Sequence, residues 1–279
     1  MLNYSIDKSI DSKKVYQNII DNKQNIAEKD CLILCKNDVF EDYDLYENNK
    51  NDLGVLVPDT RINADSKKVL IGEYNKKPAA LRNALDKVGD NMPMGLSGKC
   101  VYCQISEPNT YDHYLNKDKF PEYSLYIPNL LPCCSWCNSY KGETPSIDIN
   151  GVHNFIHSIY DKIPTEELLF YDSVMEQGKP KLDKIRLELN DSSGEIYAIL
   201  RRQYERIQLV KRLTKQYPSD IANILIDFKG KSLSELEVIN ILSTKLDMTK
   251  ELFGINHRNT AIYRGLLNNN EIVTYLASC

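Results

Sequence analysis

No apolar run in the 279 residues approaches the roughly 20 needed to span a bilayer, so no membrane association is expected. The opening residues, "MLNYSIDKSIDSKK", lack the basic start and apolar stretch of a secretory signal, which points to the cytosol. There is no internal repeat and no low-complexity tract, so neither a solenoid nor a disordered tail is expected. An excess of positive charge is also missing. The formal net charge is −4, an awkward balance for a nucleic-acid binder, since neutralising phosphates takes Lys and Arg.

That charge is uneven. Residues 38–47, "DVFEDYDLYE", hold five acids and no base, whereas residues 200–215, "LRRQYERIQLVKRLTK", hold six bases and one acid. Either alone reads as a solvated surface. With 42% hydrophobic and 27% charged residues the chain has the make-up of a globular protein able to bury a core in one or two domains. The abundance of Asn, Lys, Ile and Tyr fits an AT-biased coding sequence and carries no functional signal.

Periodicity predicts a helix over 12–29, then a short apolar run "CLILC" in which Cys31 and Cys35 act as core residues, then an acidic loop. Strands are predicted at 52–58 and 67–74, and a helix at 78–88 behind Pro78. The Gly- and Pro-containing stretch "GDNMPMGLSGK" marks a boundary before Cys100. Further on, 184–190 alternates like a strand, 195–217 reads as one long amphipathic helix, and helices follow at 218–228 and 232–246, the latter opening on a Ser234/Glu237 capping box. The tail at 260–277 is weakly helical.

The chemistry gathers in the middle. Cys100 and Cys103 form one Cys-x-x-Cys turn, Cys134 and Cys137 another. In a reduced compartment two such pairs point to a four-thiolate structural zinc; reduced core cysteines are the alternative. Cys133 is off that spacing and is expected to pack inward. A closed four-thiolate site stabilises but does not catalyse, so any chemistry belongs to the loop between the pairs. That loop carries "TYDHYLNKDKFP". In an extended strand Asp112 and His113 point to opposite faces and take different tasks: a carboxylate suits a hard divalent ion, a neutral imidazole can take a proton from water, and together they suit phosphodiester hydrolysis.

Residues 99–142, "KCVYC…YDHYLNKDKFPEYSLYIPNLLPCCSWCNSYKG", resemble the HNH endonuclease family in its four-cysteine, zinc-bound form. The resemblance covers about a sixth of the chain. It implies a ββα-metal hairpin with His113 as general base, Asp112 and Asn138 as ligands of one catalytic magnesium or manganese, and Asn129 as brace of the loop that orients the base. Asn138 by itself would read as a helix cap. Lys141 matches a family lysine and is a candidate phosphate contact, as are Lys117 and Lys119 in the loop; basic residues Arg201, Arg202 and Arg206 could extend the footprint. His157 and Asp161 align with a segment that follows the motif in some related chains but lack its proline, so His157 is read as structural, and His153 and His257 carry no pattern.

The expected fold is therefore α+β: an HNH nuclease core with structural zinc at 91–165, a mixed α/β and regulatory region at 1–90, and a mainly helical region at 166–279 for partner or DNA contact. The expected function is DNA cleavage by a single-metal mechanism, with double-stranded DNA as substrate, acting as effector of a bacterial restriction or anti-phage system beside a partner ATPase or other defence subunit. Two alternatives stand: a non-catalytic zinc-stabilised subunit that binds nucleic acid or protein, and an RNA-cutting HNH nuclease.

Overall fold

Asp11 accepts hydrogen bonds from the first free amides of helix α1 (Ser12–Asp21), and Asn25 caps α2 (Ile26–Asn48) in the same way. The computed structural model describes residues 3–189 and 194–279. Met1 and Leu2 of the N-terminal reading, and Asn190 at the end of the predicted strand, lie outside the described residues. The architecture is mixed α+β, mostly helical, with two small two-stranded sheets. It divides into two units, residues 3–162 and 163–279.

In the first unit the single helix expected over 12–29 is two helices, and α2 continues through both "CLILC" and the supposed acidic loop. The reason is visible in its buried face: Leu32, Cys35, Val39, Tyr43 and Tyr46 recur three or four apart, so tyrosine and cysteine supply a stripe that leaves most of the acids outside. Residues 52–58 are not a strand but a short 3-10 turn with an extended tail. Residues 67–74 are not a strand either; they lie in α3 (Ala64–Lys76), capped by Asn63, with Ser66, Leu70, Glu73 and Tyr74 buried at helical spacing. The described N-terminal region is thus helical rather than mixed. Helix α4 (Ala79–Asp90) starts behind Pro78, as its sequence indicates.

Strand β1 (Thr110–His113) pairs antiparallel with β2 (Leu130–Cys133), Asp112 facing Leu131 and His113 facing Leu130. Helix α5 (Ser135–Lys141) follows directly. The long β1–β2 connection is packed from outside by α2, whose Tyr43 ring centre lies 4.5 Å from that of Tyr126, while Tyr46 stands 5.0 Å from Tyr123 and 4.9 Å from Tyr126. Such ring contacts add to area burial. Helices and hairpin therefore share one core.

The second unit holds a hairpin of β3 (Leu169–Glu176) and β4 (Lys179–Leu187) and the helices α6 (Glu195–Arg206), α7 (Leu209–Ile226), α8 (Glu235–Phe253), α9 (Arg258–Leu267) and α10 (Asn270–Ala277). The helix predicted over 195–217 breaks at Gln208, which takes a left-handed conformation at φ 51°, and α7 then runs on through Pro218. The Ser234/Glu237 capping box of α8 is present. No described helix is long and apolar enough to cross a membrane.

Candidate functional site

Cys100, Cys103, Cys134 and Cys137 come together with their sulfurs all within 4.8 Å of one another, and all four are buried. Tight turns do this. Gln104 at φ 53° reverses the first pair and returns its amide to the Cys100 carbonyl at 2.8 Å, and Cys134 is the N-cap of α5. Amides of Ile105 and Cys137 point at the Cys103 and Cys134 sulfurs, at 3.5 and 3.4 Å. A tetrahedron with Zn–S bonds of about 2.3 Å has S···S edges of about 3.8 Å, and the Cys103 and Cys134 sulfurs stand 3.9 Å apart. The donor set and its spacing fit zinc. Four thiolates buried this close together repel one another and need a cation to offset them. Cys133 is buried outside the cluster, its thiol pushed up by that burial.

Beside this cluster a cleft of about 330 Å³ is lined by Asp112, His113, Asn138, Lys141, Lys117 and the rim residues Tyr74 and Thr144. Asp112 is buried, accepts the Tyr102 hydroxyl at 2.6 Å, and is ion-paired with the Lys141 ammonium. Lys141 also donates to the His113 carbonyl at 3.2 Å. The His113 ring rests edge-on against Tyr74 of α3, centroids 4.2 Å apart, with Nε2 3.2 Å from the Ser124 carbonyl. A carbonyl can only accept, so Nε2 carries the proton and the lone pair is left on Nδ1. Burial lowers the imidazole pKa to about 4, which keeps the ring neutral near pH 7.

Asn129 is fully buried. Its Oδ1 accepts from the Leu115 amide at 2.7 Å, and its Nδ2 donates to the carbonyls of Leu115 and Tyr123 at 3.0 and 3.2 Å. Lys117 sits at the cleft and pairs with Asp118 at 3.2 Å, while Lys119 points over the Phe120 ring. Arg201, Arg202 and Arg206 lie on α6, in the other unit. His157 is buried, and its backbone amide donates to the Asp161 carboxylate. His153 faces the Tyr114 hydroxyl at 3.3 Å, and His257 caps α9.

Sequence reasoning missed Tyr102, Tyr74 and the Ser124 carbonyl. Tyr102 had a signal of sorts, since it sits inside the first Cys-x-x-Cys turn. Tyr74 had none, because it reaches the cleft from a helix read as a strand.

Two curated proteins resemble parts of this chain. Protein ea31 of Escherichia phage lambda is 36% identical over 75 residues, 26% of this chain and 25% of that protein. The Septu protein PtuB of Bacillus thuringiensis is 40% identical over 55 residues, 18% of this chain and 21% of that protein. The chain thus spans about a quarter and about a fifth of the relatives it matches. No family model and no solved structure matches. What these comparisons carry is a segmental similarity to a phage protein and to a Septu protein, joined to a buried four-cysteine cluster suited to a metal.

Proposed function

We propose that the chain is an HNH-type endonuclease that hydrolyses phosphodiester bonds in DNA, with β1, β2 and α5 as its ββα-metal core and zinc on the four cysteines. One observation carries this reading: Asp112, His113, Asn138 and Lys141 line a single cleft, with the imidazole hydrogen-bonded so that Nδ1 is left to take a proton. His113 removes a proton from water through Nδ1 while its Nε2–H stays on the Ser124 carbonyl. Asp112 and Asn138 would hold the magnesium or manganese, since a carboxylate and a carboxamide are both hard oxygen donors. The hydroxide formed at His113 attacks phosphorus and the P–O3′ bond breaks, the 3′ oxygen taking a proton from solvent to leave a 5′ phosphate and a 3′ hydroxyl. A bound ion would offset the charge that develops on the phosphate and the leaving oxygen. Tyr102 and Lys141 fix the Asp112 carboxylate, and Asn129 braces the loop around the base. Two of the three Lys141 donors are committed to Asp112 and the His113 carbonyl, so Lys117, paired with the exposed Asp118 at the cleft, is the better first contact.

The partial similarity to a Septu protein supports a place in a bacterial anti-phage system, beside a partner subunit such as an ATPase. A second reading, a zinc-stabilised binding subunit without activity, draws support from the net charge of −4 and from the ion pair that occupies Asp112. Incubating the protein with supercoiled plasmid and with structured RNA, plus magnesium or manganese, separates these. The wild type is expected to nick plasmid, and His113→Ala with unchanged zinc content to lose about 10²–10⁴-fold in rate. Selective loss of the RNA would move the substrate to RNA. Equal cleavage by both proteins would sink the assignment of the base.

A further inference from the structure

His157 takes no part in that chemistry, yet its ring is buried beneath the loop that flanks His113, against Tyr114 with centroids 4.4 Å apart. Its hydrogen bonds have a direction. The Ile159 amide donates to Nδ1 at 3.4 Å, so the ring proton sits on Nε2, which faces the Tyr46 hydroxyl at 3.1 Å. Tyr46 donates its single proton to Asn129 Oδ1 at 3.2 Å, so toward His157 it accepts. The chain runs one way: the single His157 ring proton, on Nε2, is shared between Tyr46 and the Pro128 carbonyl, and Tyr46 O–H goes to Asn129. Burial holds the His157 pKa down to about 3, only partly opposed by the Pro128 carbonyl, so the direction does not reverse near neutral pH.

Asn129 sits where that chain ends and the loop begins. Through the Leu115 amide and the carbonyls of Leu115 and Tyr123 it ties the two sides of the loop together. Leu115 lies just after His113, and Tyr123 just before Ser124, whose carbonyl holds His113 Nε2. We propose that His157 and Tyr46 are positioning residues for His113, a buried hydrogen-bonded chain through which α2 and the segment after the hairpin set the orientation of Asn129 and, through it, of the catalytic ring. The effect on rate rests on the reading of His113 as the general base. The effect on the loop rests on geometry alone.

The test compares Tyr46→Phe, His157→Leu and His157→Gln with the wild type, and uses Tyr160→Phe as control. Tyr160 stacks on His157 at 4.5 Å but bonds Glu47, outside the chain. Three readouts are taken: hydrogen exchange of the Leu115 amide, side-chain ¹⁵N signals of His113 at fixed pH, and plasmid cleavage resolved into kcat and KM. Tyr46→Phe and His157→Leu are expected to speed Leu115 exchange about 10-fold, to mix the two His113 tautomers, and to lower kcat about 10-fold with KM little changed. His157→Gln, which keeps a donor, restores most of this, and Tyr160→Phe behaves as wild type. Tyr46→Phe removes only a hydroxyl, so it carries the test if His157→Leu fails to fold.

Unchanged exchange and ¹⁵N signals in folded Tyr46→Phe overturn the proposal, whether or not the wild type cuts DNA. His157→Gln behaving like His157→Leu overturns the part assigned to His157. A wild type that never cleaves, with exchange and tautomer still responding, leaves the positioning chain standing and sinks the nuclease reading instead.

Discussion

Charges buried near the loop decide how single residues respond to pH. Asp42 of α2, Asp59 and Glu122 meet beneath the β1–β2 connection, with Arg61 bridging Asp42 and Asp59 and also reaching Asp38 and Glu41. Burial, then the bond to Asp59, pushes Asp42 up to about 8, and burial pushes Glu122 up to about 7. Asp59, despite its own burial, is held below its ordinary value by Arg61. Unfolded carboxyls release their protons near pH 4, whereas Asp42 and Glu122 keep theirs to about pH 7–8 when folded. Their contribution is thus full below about pH 4 and is lost as pH rises through 7–8. The buried His113 and His157, with lowered values, act the other way but only below about pH 6.5. Melting temperature is therefore expected to fall from pH 6.5 to 9, and Asp42→Asn to flatten that fall. Parallel curves for the two proteins would show that Asp42 is not the group responsible.

At the scale of elements, packing against a backbone sets tighter limits than hydrophobicity does. Gly265 in α9 lies against the Tyr171 carbonyl of β3 so closely that any Cβ would overlap it. The carbonyl belongs to a strand paired along its length with β4 and cannot retreat without disturbing that ladder. Gly265→Ala should cost about 1–3 kcal/mol despite the better helix propensity of alanine. A denaturant midpoint equal to or above wild type would contradict the close approach. The same logic explains why α2 departs from the pattern its polarity suggests. Its buried face mixes Leu32, Cys35 and Val39 with Tyr43 and Tyr46, and the Tyr46 hydroxyl donates to Asn129 Oδ1 inside. Scored by residue polarity the stretch looks like a loop; scored by spacing it is a helix.

For the whole molecule, the two units predict two responses to metal removal. The four cysteines belong to residues 3–162, where structural thiolate zinc contributes directly to folding. Chelation is expected to lower the unfolding transition of that unit by many degrees and to leave the transition of residues 163–279 in place, which calorimetry with and without chelator would read. A chelator that moves both transitions equally, or neither, would contradict this. Much of the organisation was legible beforehand. Paired Cys-x-x-Cys turns announced the cluster, since sulfur spacing within each turn is a local property. Pro78 and the Ser234/Glu237 box fixed helix starts for the same reason. By itself the sequence determined what short-range geometry determines: which cysteines pair into turns, which residues cap helices, and that Asp112 and His113 are neighbours on one extended segment. Only the tertiary structure decided that Tyr102 and Lys141 hold Asp112, that a carbonyl at Ser124 selects the His113 tautomer, and that a tyrosine from α2 reaches Asn129. Those contacts join residues from 10 to 83 positions apart, beyond the reach of any helix or strand period, and no spacing encodes which side chains a folded core will bring together.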